Sequence, residues 1–239
     1  MQTSLKNKLL DCATAPYRPT GTFNYHWARG KLKYDPIFAA LVKRAVFPDG
    51  ARIIDLGCGR GLLAAWLLGA EQLAAQGQWS GDTPPPKGLH FRGIELMERE
   101  AVCGNQALKP LYGERVHLSG GDMLKADLDD ADVIAILDAL HYVSYAEQDQ
   151  MLNRIRAALG TGGLFVTRVG NAGSGLRFAF SQLVDACISS AQGHRLSRMW
   201  CRPLGQWITV LEARGFEVDA IPMSAGTPFA NVMLVARVI

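Results

Sequence analysis

From residue 51 onward the chain alternates between two hydrophobic periods. Short, β-rich apolar runs stand at 51–56 (ARIIDL), 89–94 (LHFRGI), 115–119 (RVHLS), 131–138 (ADVIAILD) and 163–169 (GLFVTRV). Helical patterns fill the intervals at about 60–76, 97–109 and 146–159, the last with Met151, Leu152, Ile155, Ala158 and Leu159 on one face. Strands alternating with helices predict βαβ units and a doubly wound, mostly parallel sheet with right-handed crossovers. VIAIL is apolar at every position, as a central strand buried on both faces requires. FEVDAIP and FANVMLVARVI are consecutive strand patterns with only Met223 to Thr227 between them, too short for a helix. The last two strands are therefore expected to pair antiparallel.

The flanking segments have another character. Residues 1–50 are polar and aromatic (Tyr17, Phe23, Tyr25, His26, Trp27, Tyr34), with one helix predicted from Pro36 to Phe47. They read as a lid on a main domain at 51–239. The Gly- and Pro-rich segment 77–88 (GQWSGDTPPPKG) reads as a mobile insertion loop. Segment 173–207 is expected to form helices that cover an acceptor pocket, although Arg177, His194, Arg195, Arg198 and Arg202 fit a solvated basic face equally well.

Composition narrows the class. A net charge of +3 from scattered Lys and Arg residues does not call for a nucleic-acid partner. The five cysteines are far apart and show no zinc spacing, so no metal is expected and reduced thiols are the plain reading. MQTSLKNKLLDCATAPYRP lacks the apolar core of a signal peptide, and no apolar run approaches a membrane span. A cytoplasmic protein is the expectation.

The chemistry starts at RIIDLGCGRGLL, residues 52–63, where Asp55 stands in front of Gly57, Cys58, Gly59, Arg60 and Gly61 between a strand and a helix. A dinucleotide loop would read G-x-G-x-x-G and hold a pyrophosphate. Here the spacing is G-x-G-x-G, and a carboxylate beside a pyrophosphate would repel it by several kcal/mol in a partly buried site. An acid there suits a ligand with an ammonium and a sulfonium, which S-adenosylmethionine carries together. Glu95 follows the second strand and can take both ribose hydroxyls, with Leu96 and Met97 flanking an adenine. Asp122 follows the third strand; it suits either the adenine amino group or a turn cap.

IIDLGCGRG, GIEL, GDML and ILDALHYV, in that order, resemble the class I S-adenosylmethionine-dependent methyltransferases over roughly residues 50–239. The resemblance implies a seven-stranded, Rossmann-like sheet with the last strand antiparallel. It implies that Asp55, Gly57, Gly59, Glu95, Asp122 and Met123 line the cofactor site, with Asp138 and Ala139 beside the methionine part. HWARGKLKYDPIF, LDALHYV and RVGNAGSGLRF are further similar to methyltransferases encoded with bacterial aryl-polyene pigment biosynthesis. That likeness implies that Arg29, Gly30 and Lys31 close over the cofactor carboxylate. It also implies a hydroxylated aromatic or acyl acceptor, free or bound to a carrier protein.

Methyl transfer needs a base only where the acceptor loses a proton. His141, just beyond the fourth strand, is the first candidate, and the alternative is a histidine that packs or caps. His26 is a second candidate base. Trp27, Tyr142 and Tyr145 are candidates for the acceptor wall, and Arg168 either binds an acceptor anion or forms a salt bridge. Two rival functions keep the fold. A nucleic-acid methyltransferase would want an N/D-P-P-Y-type motif where DALH stands, and a non-catalytic binding module would have a broken cofactor site.

Overall fold

The computed structural model describes residues 2–170, 199–223 and 231–239. Seven strands form one sheet: β1 (Arg52–Leu56), β2 (His90–Glu95), β3 (Val116–Gly120), β4 (Val133–Leu137), β5 (Leu164–Gly170), β6 (Phe216–Pro222) and β7 (Asn231–Val238). Their order is β3-β2-β1-β4-β5-β7-β6, and β7 alone is antiparallel to the rest. The chain divides into two compact units, Met1–Val133 and Ile134–Ile239.

In the first unit, three helices precede the sheet, where the hydrophobic pattern predicts one. They are α1 (Thr3–Thr14), α2 (Thr22–Tyr34) and α3 (Pro36–Lys43). α1 buries Leu5, Leu9, Leu10 and Ala13, a helical stripe, whereas α2 buries only Ala28 and Leu32. Asp35 caps α3 by accepting from the Ile37 amide at 3.1 Å, and Pro36 occupies the first turn, where its missing N–H costs nothing. α3 stops at Lys43 rather than Phe47 because Ala45 turns to a φ of 47°. α4 (Leu62–Ala75) is apolar on nearly every face and is correspondingly buried, with Trp66 Nε1 donating to the Phe38 carbonyl at 2.8 Å. α5 (Glu98–Tyr112) is fastened to β3 by Asn105, whose side chain accepts from Leu118 N and donates to Leu118 O at 3.0 and 2.6 Å.

The Gly- and Pro-rich loop at 77–88 carries a hydrogen bond of its own and others to neighbouring segments. Trp79 Nε1 donates to Thr83 O, Lys87 N to Asp49, and Gly88 N to Glu71, and Pro85 and Pro86 are buried.

In the second unit, α6 (Tyr145–Ala158) opens with a full capping box between Ser144 and Glu147. α7 (Leu204–Glu212) precedes β6, and β7 pairs with β5 from Leu164↔Arg237 to Gly170↔Asn231. The stretch expected to cover the acceptor falls within the described residues only from residue 199 on, where an irregular run to Pro203 leads into the first turn of α7.

Candidate active site

The glycine loop is built on the carboxyl ends of β1 and β2. Asp55 lies opposite Gly93 and Leu56 opposite Ile94 in the parallel register, so the loop leaves β1 beside the last residues of β2. The Ile94 carbonyl accepts from Gly57 N at 2.8 Å and Cys58 N at 3.3 Å, and Gly61 N closes the turn on Cys58 O at 2.9 Å. Gly59 N donates to Glu95 Oε2 at 2.8 Å, while Glu95 Oε1 takes Met97 N at 3.0 Å. Four loop amides are thus satisfied inside the protein.

Two glycines in this loop are dictated by geometry. Gly61 has φ 76°, and a Cβ there would meet Leu108 and Leu118 side chains at 2.9 Å. Gly59 has φ 54° and open space where its Cβ would be, so the loop surface is approachable at that point.

Asp55 is buried at 5% exposure, and its carboxylate has no hydrogen-bond or ion-pair partner among the described residues. Burial pushes its pKa up to about 7, and the nearby Glu95 charge pushes in the same direction. The same burial holds the Cys58 thiol well above its ordinary value, with Asp55 and Glu95 adding to it, so Cys58 is a packing residue of the loop rather than a reactive thiolate.

The other expected cofactor residues of this unit are at the same sheet edge or on the N-terminal helices. Leu96 is exposed, and Met97 caps α5. Asp122 caps the short turn Met123–Lys125 by accepting from Leu124 N at 2.9 Å, the turn-cap alternative for this residue. Arg29 turns to α1, pairing with Asp11 at 2.6 Å and donating to Thr14 Oγ1 at 3.4 Å. Lys31 pairs with Asp35 at 2.8 Å. His26 is exposed and stands edge-on to Tyr25, while Trp27 lies under the guanidinium of Arg60.

No sequence signal marks Arg60 as more than a loop cation. Its Nε donates to Glu100 at 2.5 Å and its Nη1 to Asn24 at 2.8 Å, so the cation of the loop is turned away from the loop surface and held by α5 and α2.

The second unit gathers another group of candidates. Asp138 follows β4 with φ 61° and forms a bidentate pair with Arg168, one arm of which is 2.5 Å long. Arg168 is buried, so the salt-bridge alternative holds for it. Ala139 leads into a single turn, Leu140–Tyr142, that carries His141. The His141 ring lies 4.2 Å from the Tyr142 ring, and its carbonyl accepts from Trp200 N at 2.9 Å. Tyr145 meets the Trp200 ring edge-on at 5.1 Å and donates its hydroxyl to Cys201 O.

Gln148 organises this region and was invisible in the sequence as one polar residue on an amphipathic helix. It is fully buried, and its Nε2 faces the carbonyls of Leu140, Val143 and Trp200 at 2.8–3.1 Å. Its Oε1 accepts from Arg202, which also reaches Tyr145 O and Asp149. Arg202 is 7% exposed, which corrects the reading of it as part of a solvated basic face.

The fold is the Rossmann-like methyltransferase fold, a mixed seven-stranded sheet flanked by helices. Among solved structures the chain is similar to magnesium protoporphyrin IX methyltransferase from Synechocystis PCC 6803 with bound SAH. The two share 15% identity and a TM-score of 0.61, covering 99% of both chains. It is similar to mitomycin 7-O-methyltransferase (20% identity, TM-score 0.60), covering 92% of this chain and 58% of that one. A [4+2]-cyclase matches as well (18% identity, TM-score 0.59, 85% and 81% covered), so the fold alone does not define a reaction. No protein-family model and no curated protein matches the chain. Among the described residues no His, Cys, Asp and Glu group could hold a metal ion, and no helix is long and apolar enough to cross a membrane.

Proposed function

We propose that the protein is an S-adenosylmethionine-dependent methyltransferase acting on a small molecule. One observation carries the reading: a buried, unpartnered carboxylate, Asp55, stands beside a glycine loop in which the amides of Gly57, Cys58, Gly59 and Gly61 are already taken. A pyrophosphate needs free loop N–H donors, whereas Gly59 N is engaged by Glu95. A ligand with positive charge relieves the desolvated Asp55, and Glu95 retains lone pairs for two hydroxyls.

When bound, the cofactor supplies a methyl group on a positively charged sulfur. The chain's part is to hold the cofactor by Asp55, Glu95 and the loop, to orient an acceptor, and to remove a proton where the acceptor is a hydroxyl. His141 is the residue proposed for that proton, with Tyr142 and Tyr145 offering aromatic surface to the acceptor. The likeness of its sequence segments to aryl-polyene methyltransferases favours oxygen of a hydroxylated aromatic or acyl intermediate, free or carrier-bound. The sequence resemblance adds Asp122, Met123, Asp138 and Ala139 to the residues proposed for the cofactor.

Calorimetric titration of the folded protein with S-adenosylmethionine and S-adenosylhomocysteine tests the reading. Saturable 1:1 binding of both is expected, and the absence of heat for either from a folded sample refutes it.

A further inference from the structure

We propose that Arg60 is a positioning residue that makes helix α2 part of the cofactor site, so that ligand binding at the glycine loop and the docking of α2 are coupled through one side chain. This inference rests on the cofactor reading above. Arg60 sits between Gly59 and Gly61, both at positive φ, so its backbone is part of the loop turn. Three elements outside the loop converge on it. Its carbonyl accepts from the hydroxyl of the fully buried Tyr17 at 2.8 Å. Its guanidinium is paired with Glu100 of α5, and both side chains are largely buried, at 11% and 15% exposure. Its remaining edge and face belong to α2: Nη1 donates to Asn24 Oδ1 at 2.8 Å, and the cation lies 4.6 Å from the Trp27 ring and 5.5 Å from the Phe23 ring.

The ion pair with Glu100 would by itself neutralise Arg60. The contacts with Asn24, Trp27 and Phe23 therefore do something further, and what they join is the ligand loop and a helix with little apolar burial of its own. α2 buries only Ala28 and Leu32, and Phe23 is left 70% exposed. α2 is otherwise tied to α1, by Arg29 to Asp11 and Thr14 and by the Lys33 carbonyl to Lys6, so Arg60 is its tie to the ligand loop. Since the contact residue is built into the loop, a ligand that fixes the loop fixes α2 as well, and by linkage the loss of α2 docking weakens the ligand.

Arg60→Gln keeps a donor of shorter reach but removes the charge. Asn24→Ala removes the hydrogen bond from Arg60 to α2 and leaves the Glu100 pair and the Trp27 and Phe23 contacts intact, so it tests the coupling even if Arg60→Gln fails to fold. Affinity for S-adenosylhomocysteine is measured by calorimetry, and amide hydrogen exchange of residues 22–34 is followed with and without that ligand. In the natural protein the ligand is expected to slow exchange in 22–34 at least fivefold. The ligand-dependent protection is expected to be lost in Arg60→Gln and at least halved in Asn24→Ala, with affinity down about tenfold and about threefold. Arg60→Gln, which strands the largely buried Glu100 carboxylate, is expected to melt lower, and Asn24→Ala close to the parent. A purely structural Arg60 would leave the ligand-dependent protection of α2 in place in both variants, whatever their melting temperatures. Retained protection, or affinity unchanged within twofold in Asn24→Ala, overturns the proposal while the cofactor reading stands. No binding to the natural protein overturns both.

Discussion

The amide of Gly59 donates to the carboxylate of Glu95 at 2.8 Å, which closes the glycine loop onto the end of the neighbouring strand. The donor that a dinucleotide loop would present to phosphate is spent on an acid. The same acid fixes the start of α5 through Met97 N at 3.0 Å. Glu95 therefore serves the loop whether or not a ligand is present.

From that dual role two substitutions should separate. Glu95→Gln keeps an acceptor for one amide and should weaken S-adenosylmethionine about tenfold, the loss of one charge-assisted hydrogen bond. Glu95→Ala strands two amides as well and should add a drop in melting temperature of several degrees. Calorimetry and thermal melts read the two effects, and unchanged affinity in both variants would remove the ribose role.

Asp55 predicts a pH dependence of cofactor binding. Burial, and secondarily Glu95, raises its pKa to about 7, so in the free protein it is largely protonated at pH 6. A cationic ligand binds the ionised form, so affinity should fall about tenfold per pH unit below that value, with one proton released on binding. Between the ordinary aspartate range and about 7 the folded state keeps a proton that the unfolded chain has lost. The contribution of Asp55 to stability is then full at low pH and is lost as pH rises towards 7, roughly 4 kcal/mol over that window. Calorimetry in buffers of different ionisation enthalpy measures the proton, and Asp55→Asn should abolish both pH effects. A flat affinity from pH 5.5 to 8.5 in the natural protein contradicts the role.

The parts of the fold readable from the sequence are those where one period dominates over a whole element. VIAIL and the alternation of apolar runs with helical stripes fixed the sheet, and the short gap after Met223 fixed the antiparallel end. α2 escaped because its buried face is two residues wide, although α1, with Leu5, Leu9, Leu10 and Ala13, carried a helical stripe that the polar and aromatic context obscured. The loop glycines and their acids were visible as a spacing. The roles of Arg60, Gln148 and Arg202 were not, because a charged or amide side chain looks alike in sequence whether it is solvated or locked in a buried network. Arg29 and Lys31, which the resemblance places over the cofactor carboxylate, also hold ion pairs with Asp11 and Asp35 that no sequence pattern announces.

Gln148 is expected to be among the most sensitive positions of the second unit. Gln148→Leu has similar volume but leaves the Leu140, Val143 and Trp200 carbonyls without their donor and the Arg202 Nε without its acceptor. Stranding several buried polar groups costs about 3 kcal/mol or more. Urea unfolding should show that loss with an unchanged slope, and Trp200 fluorescence should shift as its segment loosens. A loss below about 1 kcal/mol would show that water replaces the amide at little cost.

His141 is held at its backbone rather than through its ring alone, and that makes a sharp kinetic test available. Its carbonyl is fixed by Trp200 N, and the carbonyls of Leu140 and Val143 on either side are fixed by Gln148, so His141→Ala removes the imidazole without releasing the turn. If the imidazole takes the proton of a hydroxyl acceptor, the variant should bind S-adenosylhomocysteine within about threefold of the parent and lose 10²–10⁴-fold in turnover, the usual range for general-base removal. The loss should shrink as pH rises and the acceptor ionises without help. A ring that merely packs would instead lower the melting temperature and leave the pH profile of turnover unchanged, and full turnover in His141→Ala would take the base away from this residue.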